Sequence, residues 1–408
     1  MGTSRRVFIK SGTAAMLSLG FAPAFLTRAA AATNGRKLLI AIFQRGAVDG
    51  LNMLVPFGDT EYYKLRPSIG IGQPGRDGGA IDLDGFFGLH PRLAPLKPLY
   101  DSGVLAALHA CGSPDSTRSH FDAQDYMESA TPGVKSTRDG WLNRYLQATN
   151  SSTPLQGVAV TRQVPRTMQG RAATLAFAGL DDFAVRDTMG SARAIQDSYA
   201  TTRDALLGTS AHEAFEAMAV LQKATAGPYQ PANGADYPRS PFGRALQEIA
   251  RIAKANVGLE VAFAESGGWD THVAQGAGEG QLAGRLDDLA RGLAALTRDL
   301  GERLGDTVIM TMSEFGRAAA QNGSGGTDHG HGNAMLLIGG PVKGGHVYGT
   351  WPGLRPEQRF EARDLAVTTD FRNVFAEIVT AHLGAAAATL PRVLPGFTPT
   401  NAPGIIRG

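Results

Sequence analysis

The chain has 408 residues, 43% apolar and 19% charged, enough for one large core or two to three ordinary domains and unlike a disordered chain or a coiled coil. A single cysteine, Cys111, excludes a disulfide framework, thiolate zinc sites and iron–sulfur clusters bound within the chain. Formal charge is +2, and glycine, at 52 residues, is near twice its usual share of about 7%, which predicts many tight turns.

In chain order, the first element is a leader. Ser4-Arg5-Arg6-Val7-Phe8-Ile9-Lys10 precede an uncharged, moderately apolar stretch from Ser11 to Thr27, then Arg28 and the alanines 29–32. A basic region, an apolar region and a small-residue cleavage zone read as a signal peptide over residues 1–32, and the paired arginines resemble the twin-arginine export signal. The alternative is an uncleaved anchor helix; Gly12, Gly20 and Pro23 make the stretch short for a span of about 20 apolar residues. The expectation is a periplasmic or secreted protein whose partners include the twin-arginine export machinery, with no stable membrane anchor after cleavage. Removing the leader leaves 35 basic against 37 acidic residues, a charge of −2. That balance predicts no nucleic-acid partner, which would need a basic face.

Residues 37–43 (KLLIAIF) form a short apolar run that reads as a buried strand, and 104–110 (VLAALHA) a second, after a helix near 93–100. Ser119 suits the N-cap of a helix bearing Phe121, Tyr126 and Met127. Residues 131–240 read as an irregular insertion, with strand candidates at 157–160 and 174–177, a helix near 211–224 and a Pro/Gly-rich loop at 227–241. The last third is regular: a helix at 242–255, a strand at 259–263, a leucine-striped helix from Leu282 to Leu304, strands at 307–312 and 335–338, and a closing helix at 371–383. Helices alternating with short apolar strands predict one α/β domain over residues 33–408, with a largely parallel central sheet sandwiched by helices.

The few Asp/His pairs sit in turns after predicted strands: Asp49 after the first, Asp270-Thr271-His272 after 259–263, Glu314 and Arg317 after 307–312, then Asp328-His329-Gly330-His331. In open α/β sheets ligands bind beyond the carboxyl ends of the strands. Carboxylates mixed with imidazoles suit zinc, manganese or a similar divalent ion. Seven candidate ligands, Asp49, Asp270, His272, Glu314, Asp328, His329 and His331, exceed the needs of one tetrahedral ion and leave room for two. The same turns also read as capping motifs of a metal-free scaffold. Glu265 reads as a solvated carboxylate, His90, His109, His346 and His382 as structural, and Cys111 as a small buried residue. His212-Glu213 opens like a zinc-protease helix, but Glu216 replaces the second histidine. There is no G-x-S-x-G elbow, P-loop or G-x-G-x-x-G after a strand.

The twin-arginine leader, QRGAVDGLNMLVP, STRSHFDAQDYME, GGWDTH, MSEFGR and TDHGHGNAMLLIGG together resemble the bacterial domain of unknown function 1501 family, over residues 36–400. That family is similar to the alkaline phosphatase and sulfatase superfamily, an α/β sandwich holding two divalent metals. The resemblance implies an alkaline-phosphatase-like fold, with Asp49, Asp328 and His329 at one ion and Asp270, His272 and His331 at the other. Glu314 becomes an auxiliary acid and Ser119 the nucleophile, with Thr117 as substitute. The sequence departs from the superfamily in placing only Thr271 between Asp270 and His272, and His331 so soon after His329. Arg45, Arg118 and Arg317 become candidates for gripping phosphate or sulfate oxygens. The implied activity is hydrolysis of small-molecule or polymer phosphate or sulfate esters through a seryl intermediate. The rival is a non-catalytic exported metal- or polymer-binding protein on the same fold.

Overall fold

The computed structural model describes residues 36–149, 154–180, 217 and 219–407. The leader, the start of the 211–224 helix and the His212-Glu213 pair lie outside them. Strand β1 (Leu38–Arg45) begins the core. Leu38, Ile40 and Ile42 join one apolar cluster and Leu39, Ala41 and Phe43 the other. Alternate side chains point to opposite faces of a sheet, so a run buried at every position marks a strand covered on both sides.

The main sheet has nine strands in the order β11-β5-β10-β9-β1-β8-β6-β7, with β12 also on β5. Its members are β5 (Leu105–Gly112), β6 (Gly157–Ala159), β7 (Leu175–Ala176), β8 (Val261–Gly267), β9 (Thr307–Met312), β10 (Asn333–Ile338), β11 (Val347–Tyr348) and β12 (Thr369–Asp370). β1 pairs in parallel with both β8 and β9, with Leu39 opposite Val261 and Val308. β10 alone runs against its neighbours β5 and β9. The sheet is thus largely parallel, as expected. A small antiparallel sheet, in order β2-β4-β3, joins β2 (Leu54–Val55), β3 (Ile81–Asp82) and β4 (Gly88–Leu89); the sequence reading had no counterpart for it.

Helices cover both faces. They are α1 (His120–Ser129), α2 (Trp141–Ala148), α3 (Pro241–Lys254), α4 (Gln281–Leu300) and α5 (Phe371–Glu377). α3 starts with Pro241 after Ser240, whose hydroxyl accepts the Gly243 N–H at 2.9 Å, a cap that fixes where the helix begins. The α4 leucines 282, 286, 289, 293, 296 and 300 are buried in the cluster that holds Ile40 and Ile42, each worth roughly 1.5–3 kcal/mol against exposure. The opposite face takes α2 and α5, where Trp141 stacks on Phe375 at 4.1 Å between ring centres. Within the stretch read as an irregular insertion, α2, β6 and β7 are therefore built into the main sheet and its core. Among the described residues no helix is long and apolar enough to cross a membrane.

Three of the four isolated histidines are buried inside this frame. His109 stacks on Phe87 with ring centres 4.5 Å apart, His90 caps a turn by accepting the Arg92 N–H, and His382 bonds the Leu38 carbonyl. Burial pushes all three imidazoles down to about 4. The unfolded chain binds these protons from about pH 6.5 downward and the native one only near pH 4, so stability is full above pH 6.5 and lost as pH falls toward 4. We expect each to cost up to about 3 kcal/mol across that window. Urea titrations at pH 7 and pH 5 check this, with His109→Leu reducing the difference; equal midpoint losses for variant and parent would refute His109's share.

Candidate metal centre

Because β1, β5, β8 and β9 run the same way, their carboxyl ends share one edge of the sheet. β10 runs the other way, so its start lies on that same edge. The turns at 46–49, 113–120, 268–272 and 313–317, and the loop entering β10 at 328–332, therefore converge. Gly46 shows how tight the convergence is. Its φ is +112°, and a Cβ there would sit 2.8 Å from the Asp270 nitrogen, a conformation and a space that only glycine fits.

The gathered side chains are His120, Asp270, His272 and His329. Donor atoms of His120, Asp270 and His329 lie within 4.8 Å of one another. His120 opens α1; its Nδ1 is 2.8 Å from Glu314 Oε1, so it donates there and turns Nε2 inward. That Nε2 is buried without a hydrogen-bond partner and sits 3.4 Å from Asp270 Oδ2. His329 is held the same way, Nδ1 donating to the Arg118 carbonyl at 2.8 Å and Nε2 lying 3.3 Å from Asp270 Oδ1. His272 Nε2 is 3.0 Å from Asp270 Oδ1 and 2.9 Å from His329 Nε2, while its Nδ1 faces Asp328 Oδ1 at 3.3 Å. Each imidazole thus has one nitrogen fixed by an oxygen behind it; the other nitrogens of His120 and His329 meet at Asp270, and that of His272 adjoins them through Asp270 and His329. Metal-ligating histidines are oriented in this way. Three imidazole nitrogens and one carboxylate suit a borderline divalent ion such as zinc or manganese.

Charge follows the same pattern. The hydrogen bond and charge of Glu314, with a smaller share from Asp270, hold His120 above the ordinary imidazole value against the opposing pull of burial. Burial pushes His329 down. For Asp270 burial acts upward, but the Arg317 hydrogen bond and charge outweigh it, so its carboxyl lies below the usual range. Glu314 is likewise lowered despite burial, by bonds from His120, Gln124 and the Gly46 N–H. Asp328 is lowered chiefly by the Asn322 amide, then by His272.

Of the seven ligands expected, Asp270, His272 and His329 meet directly. Glu314 and Asp328 stand one layer out, as the acceptors that orient His120 and His272. Asp49 and His331 are not brought in. Asp49 is fully buried, its Oδ2 2.6 Å from Arg66 Nη1 and 2.6 Å from Gln275 Nε2; the guanidinium takes the role given to a cation. His331 is buried against Phe360, with ring centres 4.3 Å apart, and burial pushes it down. Among the described residues one cluster forms, not the two that seven ligands suggested.

The arginines also take other roles. Arg317 is fully buried and donates to the carbonyls of Gly46, Ala47, Trp269 and Thr327 and, at 2.6 Å, to Asp270 Oδ1. Its donors are taken up by those carbonyls, Asp270 and, at 3.5 Å, His272 Nε2, rather than by a substrate. Arg45 binds Glu128 at 2.9 Å and Glu265 at 2.5 Å, and Glu265, exposed as expected, is also ion-paired. Arg118 is occupied by Asp364 and Glu361. Ser119 is the exposed N-cap of α1, and its hydroxyl makes no cap hydrogen bond. The Thr117 hydroxyl accepts the Ser119 N–H at 3.2 Å.

His120 is the residue that the sequence reading passed over. No acid adjoins it, and it sits on a helix rather than in a glycine turn. Its signal was positional: it follows the strand–turn after β5, at the same sheet edge as the other histidines.

An α/β sandwich with histidines and an aspartate converging at the carboxyl edge of its sheet defines the class. The chain belongs to the family described as "Protein of unknown function (DUF1501)", whose profile matches residues 100–380. Similar solved structures include a multiply substituted alkaline phosphatase PafA, at 10% identity and a TM-score of 0.32, over 69% of this chain and 64% of that one. The chain thus spans just under two thirds of that phosphatase. Another is the PsFucS1 sulfatase from Pseudoalteromonas sp., at 11% identity and a TM-score of 0.36, over 94% of this chain and 75% of that one. No curated protein matches the chain by sequence.

Proposed function

We propose that His120, Asp270, His272 and His329 hold one divalent cation, zinc or manganese, and that the protein hydrolyses phosphate or sulfate esters with Ser119 as the attacking hydroxyl. The observation that carries the reading is the buried, unpartnered Nε2 of His120 aimed at Asp270 while Glu314 fixes its other nitrogen. A buried polar nitrogen left without a partner costs stability unless something binds it. When bound, the cation supplies positive charge against the negative charge that develops on the ester oxygens. The chain's own groups prepare the rest. Arg317 fixes Asp270, Glu314 fixes His120, and the Arg118 carbonyl fixes His329.

Ser119 sits at the start of α1, directly before His120, with an exposed hydroxyl that caps nothing. In this reading its oxygen bonds to phosphorus or sulfur as the ester bond breaks, and the alcohol departs carrying a proton. Water then cleaves the seryl ester and restores the hydroxyl. The leader supports export to the periplasm or beyond. We expect Ser119→Ala to lower turnover on an aryl phosphate and sulfate panel by at least roughly 10³-fold, with bound metal unchanged. Unaltered turnover in Ser119→Ala with Thr117→Val inactive would move the attack to Thr117. A metal-replete protein inactive on every ester would favour the non-catalytic metal-binding alternative.

A further inference from the structure

On the Arg45 side of the candidate metal centre lies an open cavity of about 870 Å³ whose wall includes Arg45, Arg162, Arg166 and Arg244 against the single carboxylate of Glu265. Gly267, at the end of β8, completes the side nearest the centre. The first turn of α3 also borders it, and a helix start favours negative charge. For a chain whose charges otherwise nearly balance, four guanidiniums on one concave surface form a local field suited to anions.

Two of the four are structural. Arg45 is tied to Glu128 and Glu265, and Arg166 to Asp125 and to the carbonyls of Thr137 and Arg138. The other two are not committed to an acid. Among the described residues Arg244 donates only to the Arg239 carbonyl, at 2.6 Å, and Arg162 is exposed with no ion pair. Guanidiniums without carboxylate partners on a cavity wall are available to sulfate, phosphate or carboxylate oxygens in forked geometry.

The cavity is wired to the metal centre by one side chain. Gln124 accepts from Arg45 Nη1 at 3.1 Å through its carbonyl and donates to Glu314 Oε1 at 2.8 Å through its amide. Glu314 in turn holds His120. Arg45, on the cavity wall, therefore lies two hydrogen bonds from Glu314, the residue that orients a cluster histidine.

We propose that this cavity is an anion subsite that holds a second negatively charged group of the substrate, so that the esters this protein takes are polyanionic rather than singly charged. The proposal rests on the ester-hydrolase reading for the word substrate; the anion subsite itself does not. Binding without turnover separates the two. The probe is sucrose octasulfate, a compact polyanion, with sucrose as the neutral control, titrated calorimetrically into the full-length protein. We expect binding to sucrose octasulfate and none to sucrose. The double variant R162A/R244A should weaken it at least five-fold, R162K/R244K should recover part of that loss, and H329A should bind as the parent does. Affinity should also fall as salt rises from 50 to 300 mM, as it must for exposed charges. Both altered arginines lie on the surface, so circular dichroism and melting temperature should match the parent. No binding by the parent, equal binding by R162A/R244A, or loss in H329A with none in R162A/R244A would overturn the subsite. Inactivity on every ester with the expected binding intact would refute the hydrolase reading alone.

Discussion

Replacing His120 by alanine is expected to release the cation. Metal content by plasma mass spectrometry, after dialysis against a buffered zinc or manganese standard, should fall from about one equivalent to near background. The loss should exceed the 10–100-fold in affinity that follows removal of a residue orienting a ligand. Glu314→Gln tests the layer behind it. The amide can still accept from His120 but carries no charge, and the expected weakening is within that 10–100-fold range. Circular dichroism guards against a folding defect, and adding excess metal should restore occupancy in Glu314→Gln but not in His120→Ala. If His120→Ala keeps the parent's metal content, the centre as described is wrong.

The second large effect is on stability and concerns Asp49. Asp49 and Arg66 are both fully buried, and the guanidinium also serves Asn52 and the carbonyls of Ala318 and Ala319. Breaking such a pair leaves one charge in the interior without a partner, so Arg66→Met should cost about 3–5 kcal/mol. Removing both charges, in Asp49→Asn with Arg66→Met, should recover much of that loss. The same pair of variants decides Asp49's role. An ion-pair residue leaves metal content untouched at a temperature where the variant is folded. A ligand takes the metal with it. Urea unfolding and metal analysis of Asp49→Asn/Arg66→Met answer both questions in one preparation.

How far the sequence spoke depends on the kind of signal. The sheet was legible because a strand buried on both faces is a continuous apolar run: the expected 307–312 coincides with β9, and 37–43 lies over β1 but for one residue at the start and two at the end. The α4 stripe was legible because leucines at spacings of three and four can only face one side. The expected end at Leu304 overshot because the chain tightens into a 3₁₀ turn, Gly301–Asp306, after Gly301. The two-residue strands β2, β3 and β4 carry no periodicity, so nothing in the sequence announced them. At the site, composition pointed to turns that the fold brings to one sheet edge but did not rank the residues within them. Asp49 looked like a ligand because it is an acid after the first strand. What it pairs with in the fold is Arg66, which reaches it only through the tertiary structure. Arg317 looked like an anion grip because guanidiniums bind anions well, yet here backbone carbonyls and Asp270 occupy its donors. Neighbours of that kind are set by packing across the molecule, and no local pattern records them.

The three imidazoles proposed to hold the ion come from positions 120, 272 and 329, one beyond β5, one beyond β8 and one in the loop entering β10. In an unfolded chain they are far apart, so an ion held by all three is a clasp that exists only once the sheet has closed. Such an ion grips the native chain and not the unfolded one, adding about 2.7 kcal/mol when free ion stands at 100 times its dissociation constant. Such a clasp would also make the protein indivisible: a fragment ending with β9 would keep His120 and His272 and lose His329, and with it both the grip and the added resistance to unfolding.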